Sequence, residues 1–184
     1  MATGQYKLIC NNEYVDYKGE EAVEMAKIVD TLTGEDVMPV MYSKNLFSEE
    51  GAHLSLCVME GENGDYPVGY TDDTYRTCLF EHPEIFLSMM LHELGHFVNG
   101  DYNGEDGEAT AAGIREERMR CILEGRVQEI EKKADEFAVK HMGKNTYLRS
   151  IDYLINLRKQ QKNASMQIAV LELELRKKAV KNMR

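Results

Sequence analysis

Three residues in the stretch Leu91-His-Glu-Leu-Gly-His-Phe97 have types and spacing that can do chemistry. His92 and His96 are four apart. On a helix they share a face, so both imidazoles can reach one ion. Glu93 lies one position further round, beside such an ion and not aimed straight at it. The order HExxH suits a zinc ion held by the two histidines, with the glutamate as general base for a water molecule. The preceding run, Ile85-Phe-Leu-Ser-Met-Met90, is almost wholly apolar. Half-charged groups are costly to bury in such surroundings unless something pairs with them. The expectation is that a cation does. The competing reading is a pair of hydrogen-bonded core histidines with an exposed Glu93.

A catalytic zinc of this kind takes three protein ligands and keeps a fourth position for water. The extended pattern HExxHxxGxxH fails, because Asn99 and Tyr102 stand where the glycine and third histidine belong. The third ligand must come from elsewhere. The best candidate lies in Glu131-Lys-Lys-Ala-Asp-Glu-Phe-Ala138. Glu131 and Asp135 share a helix face. Glu131 would bind the metal, and Asp135 would accept the free ring N–H of His92 or His96 and fix its tautomer. Ala134 and Ala138 are small residues near that face, which lets another helix approach closely. Glu105, Asp106, Glu108, Glu129 and Glu136 are alternative carboxylates, more in keeping with a solvated acidic surface. Asp101 to Gly107 has a superficial likeness to a calcium loop. It puts Asp106 where the loop glycine belongs and Ala112 where the bidentate glutamate belongs, so it is rejected. His141 or Tyr102 could donate to a developing oxyanion.

HELGH followed by ExxADxFA resembles the gluzincin-type zinc metallopeptidases, in particular their small ImmA/IrrE-like (minigluzincin) branch. The resemblance covers roughly Pro83 to His141, with the short strands before it in general layout. It implies Zn2+ held by His92, His96 and Glu131, Glu93 as catalytic base, Asp135 behind the ligands, and peptide-bond hydrolysis. It also implies an edge strand along the cleft that pairs with an extended peptide; Tyr75 to Phe80 is the candidate. The stretch from Asn99 to Ile130 is long for that branch, and no helix-turn-helix is apparent. A latent or non-catalytic regulatory protein that keeps the zincin fold is the alternative.

The elements that must position these residues read as follows. Gly19 to Leu32 has helical spacing, with Ala26 and Ile28-Val29 inward and Gly34 as a stop. Val37 to Tyr42, His53 to Met59, Val68 to Tyr70 and Tyr75 to Phe80 are β-like runs. Pro83 opens a helix that Gly100 ends. Leu87, Leu91, Leu94 and Val98 form its core-facing stripe. Further helices are expected over about 108–142, with Gly113 and Gly125 as possible breaks, then 146–161 and from Ala164 onward. Together these predict an α+β, zincin-like fold: a small mixed or antiparallel sheet packed on the HExxH helix and the glutamate helix, with a C-terminal helical hairpin. The expected organisation is a metallopeptidase domain over 1–145 and a helical extension over 146–184.

The 184 residues carry a formal net charge of −10. Such acidity repels phosphates, so a nucleic-acid partner is not expected. From Asn156 onward eight Lys/Arg accompany only Glu172 and Glu174. These basic C-terminal helices could meet a regulatory protein, or the acidic body of the chain itself. The start, MATGQYKLIC, lacks a signal-peptide pattern, and the longest apolar run is too short for a membrane span. Cys10, Cys57, Cys78 and Cys121 are scattered without a CxxC pair. Reduced thiols in a cytoplasmic protein are the expectation.

Overall fold

A computed structural model describes residues 20–41, 56–58, 66–70, 78, 81–101, 111–161 and 164–183. The chain divides into two compact units, Met1–Glu93 and Leu94–Arg184. The boundary falls inside one helix.

The first unit begins with α1, Glu20–Thr33. Met25, Ala26 and Val29 recur at helical spacing and are buried. Ile28, expected inward, is 46% exposed, because one position along a helix turns a side chain by about 100°. Gly34 ends α1 at φ +78, a conformation that costs glycine nothing. Three short strands follow: β1 (Val37–Met41), β2 (Leu56–Val58) and β3 (Tyr66–Tyr70). Their order is β1-β3-β2, with β1 parallel and β2 antiparallel to β3. The Val37 N–H donates to Asp30 Oδ1 (2.7 Å), which ties β1 to the end of α1. Pro39 and Pro67 sit within β1 and β3. Neither can donate to a ladder, which limits how far the sheet can run.

The HExxH residues lie on α2, Pro83–Val98. Pro83 occupies the first turn, where a missing N–H costs nothing. Ile85, Phe86, Met90, Leu91 and Leu94 are buried over nearly the full circumference. A helix apolar that far round belongs inside. Val98 departs from the expected stripe and is 41% exposed.

The second unit holds α3 (Ala111–Leu123), α4 (Glu129–Met142), α5 (Lys144–Lys159) and α6 (Ala164–Asn182). Gly125 separates α3 from α4, whereas Gly113 sits within α3 without breaking it. The alternating run Val170 to Leu175 is helical. The helices α5 and α6 pack along each other, and both pack on α4. Within this unit α2 and α4 approach very closely. A Cβ added at Gly95 would stand 3.0 Å from Ala134 Cα and 3.1 Å from Phe137 Cβ. Ala134 and Ala138 are fully buried. Small residues on both helices are what this approach requires.

These elements correct the α+β expectation. Among the described residues there are six helices, none shorter than 13 residues, against three strands, none longer than five. The second unit contains no strand among its described residues. The structure is helical, and the small zincin-like sheet expected to organise it does not do so. Three of the β-like runs do form strands, but strands of three to five residues are too short to set the architecture against these helices. Tyr75 to Phe80, the candidate edge strand, fails at its one described residue: Cys78 accepts a backbone hydrogen bond from His82 (3.1 Å) in a helical turn leading to α2.

Two outcomes follow from this packing. Gly95→Ala should gain about 1 kcal/mol of helix propensity and lose more to the clash with the α4 backbone, for a net loss of about 1–2 kcal/mol. Urea unfolding checks the sign, and a stabilised variant would contradict the close approach. Cys78 is fully buried, and burial pushes its thiol up to about 12, with Glu84 and Glu81 adding to the effect. It should therefore stay a thiol and resist iodoacetamide at pH 8 until the protein is unfolded, as peptide mass mapping would show.

Candidate metal centre

The ligand atoms of His92, His96 and Glu131 all lie within 4.8 Å of one another. Donors held by one tetrahedral ion at about 2.0–2.2 Å stand roughly 3.3–3.6 Å apart. Side-chain shifts on the order of 1 Å would gather all three. Two imidazoles and one carboxylate form a donor set that suits a first-row divalent cation. His92 and His96 are buried and Glu131 is half-buried. The residues therefore fit a metal ion.

Each ligand arrives by a local device. The histidines ride one continuous helix, one turn apart. His96 Nε2 and Glu131 Oε1 are 3.8 Å apart, facing each other across the α2–α4 contact. That contact is set by Gly95 beside His96 and by Ala134 one turn from Glu131. The other nitrogen of His96 is held too. Its Nδ1 lies 2.9 Å from Asp101 Oδ2, and both side chains are almost fully buried. The end of α2 makes this possible. Gly100 takes φ +73, its N–H donates to Phe97 O (2.9 Å), and the Asp101 N–H donates to His96 O (3.0 Å). This pair of bonds folds the chain back over the last turn, as a left-handed glycine after a helix does. Asp101 is thereby delivered to His96. A carboxylate on Nδ1 favours the tautomer with Nδ1 protonated, in which the Nε2 lone pair would be available to a cation.

Glu131 is held in the same manner. Its Oε2 pairs with Arg176 Nη1 of α6 at 3.2 Å. The guanidinium also takes Asp135, Nη2 to Oδ1 at 2.5 Å and Nε to Oδ2 at 3.1 Å. The Tyr147 hydroxyl of α5 donates to Asp135 Oδ1 and accepts from Arg176 Nη2 (3.0 Å). Burial and the neighbouring Asp135 hold the Tyr147 phenol well above its ordinary value, so it remains a donor. The carboxylates beside Arg176 hold its charge against the cost of burial.

Asp135 is thus fully buried behind Glu131, bonded to Tyr147 and Arg176. Sequence reasoning named Asp135 as the acceptor for a ligating histidine and did not name Asp101, whose Oδ2 lies 2.9 Å from His96 Nδ1. The signal was present as a glycine followed by an acid directly after the helix. Arg176 and Tyr147 had no such local signal. Glu93 is half-buried, next to His92. Glu129 and Glu136 sit on the exposed side of α4 near Lys132 (3.7 and 3.9 Å). His141 lies about 15 Å further along α4 from Glu131, its ring centroid 4.5 Å from that of Phe137, away from the ligands. Tyr102, Glu105, Asp106, Glu108 and His53 fall outside the described residues. No family model, curated protein or solved structure matches this chain.

Asp101→Ala should weaken metal binding about 10–100-fold while leaving the helices formed. Competition with a chromogenic chelator measures the affinity, and circular dichroism the fold. An affinity equal to wild type would remove Asp101 from the centre.

Proposed function

We propose that the protein is a zinc-dependent peptidase of the gluzincin type, hydrolysing peptide bonds with Glu93 as general base. The observation that carries this is the convergence of His92, His96 and Glu131, with Glu93 adjacent on the same helix. The residue pattern on α2 and α4 supports the same reading. Zinc, when bound, would supply Lewis-acid polarisation of the scissile carbonyl and acidify a water molecule. His92, His96 and Glu131 would hold it.

The remaining work falls to the protein's own groups. Glu93 takes a proton from the attacking water as its oxygen adds to the carbonyl carbon, and later gives that proton to the leaving amine nitrogen as the C–N bond breaks. Its place next to His92, off the line of the ligands, suits a group that handles a proton and does not ligate. Asp101 and Arg176 keep the ligands in place while this occurs. No helix among the described residues is long and apolar enough to cross a membrane. The substrate in this reading is a peptide or protein.

Elemental analysis should find about one zinc per chain, lost on Glu131→Gln and retained on Glu129→Gln. Glu93→Gln should keep the zinc and the fold yet lose peptide hydrolysis by at least about 100-fold, measured by mass spectrometry on a peptide library. A zinc-free protein after zinc is supplied would sink the reading. A wild type that holds zinc but cleaves nothing would turn it toward the non-catalytic alternative.

A further inference from the structure

The side of Glu131 away from His96 faces a cation that belongs to the protein. Glu131 and Asp135 stand one turn apart on α4, with Asp135 fully buried. Two carboxylates one helical turn apart repel each other, the more so when partly withdrawn from water. Arg176, itself only 11% exposed, bridges them: one nitrogen on Glu131 Oε2, two on Asp135. Its contact uses Oε2 and leaves Oε1 toward His96. The fork therefore orients Glu131 as well as neutralising it.

We propose that Arg176 is a resident counter-cation and positioning residue, which keeps Glu131 in its ligating arrangement, with Asp135 behind it, when the metal is absent. This rests on the metal reading above. A bound dication takes over part of the neutralisation, so the need for Arg176 is greatest in the metal-free protein. Removing its charge should make the fold depend on metal. A merely structural tie between α4 and α6 would matter equally in both states.

The test is thermal unfolding of the full chain, with a chelator or with zinc chloride. Arg176→Met should lower the metal-free Tm by on the order of 10 °C, as breaking a buried pair does. Zinc should then raise its Tm by at least about 5 °C more than it raises that of wild type. Lys177→Met is the control. Lys177 joins α6 to α5 by pairing with Asp152, so its loss should lower both states alike. Arg176→Lys keeps the charge and should keep a zinc increment near that of wild type. If Arg176→Met folds only with zinc, that is the same result in its limiting form. If it folds in neither state, Arg176→Gln, which keeps hydrogen bonding without the charge, must show the enlarged increment. An increment equal to wild type in the charge-removing variants would overturn the proposal and leave the metal centre intact. A wild type indifferent to zinc would overturn the metal reading, and this one with it.

Discussion

Like charges on one helix face are the constraint from which the second unit follows. Glu131 faces His96, and Asp135 is buried one turn behind it. Neither carboxylate can be taken from water without compensation. The compensation comes from α6, 41 residues along the chain from Asp135. For Arg176 to reach it, α6 must lie against α4. For Tyr147 to donate to the same carboxylate, α5 must lie there too. The burial of Ile151, Ile155, Met166, Leu173 and Val180 supplies the apolar area that holds those helices in place. The polar network then selects one arrangement among the several that such area would permit, a role that buried networks can take.

The basic character of the stretch from Asn156 onward takes on a different meaning in this light. Read as composition, eight Lys/Arg beyond Asn156 suggest a surface for an acidic partner. Part of that charge is instead turned inward. Arg176 neutralises Glu131 and Asp135, while Glu172, among the few acids of the region, is itself buried and grips Arg118. Lys159 and Lys177 pair with Glu174 and Asp152 on the outside. Exposed pairs of that kind contribute little, about 1 kcal/mol at most, so the buried ones carry the consequence.

How much of this was legible depended on how local the signal was. The two histidines and Glu93 are readable because four residues make one turn, whatever else the chain does. Ala134 and Ala138 announced a close approach, though not that Gly95 was its other half. Glu131 was readable from its pattern. Asp101 was one glycine away from being readable: the backbone turn at Gly100 converts a residue beyond the helix into a neighbour of His96. Arg176 was not readable, because nothing in a helical stretch of mixed charge says which lysine or arginine turns inward. The fold class failed for a related reason. Short β-like runs resemble strands by local pattern, but a sheet needs partners of matching length. Here β2 pairs with only three residues of β3, and Pro67 next to them has no N–H to offer.

The two outer holders of the site act in opposite directions on the ligands they hold. Asp101 on Nδ1 makes the opposite nitrogen of His96 a stronger donor toward a cation. Arg176 on Oε2 draws charge from Glu131 and makes Oε1 a weaker one. Both restrict rotation, so both reduce the entropy a metal would have to overcome on binding. The combination favours order over raw affinity. In the proposed reading Glu93 receives a proton and gives it up again, and its half-buried position beside His92 suits that exchange. The rigid members, His96 and Glu131, are each held on the side away from the shared centre, so holding them does not obstruct what they face.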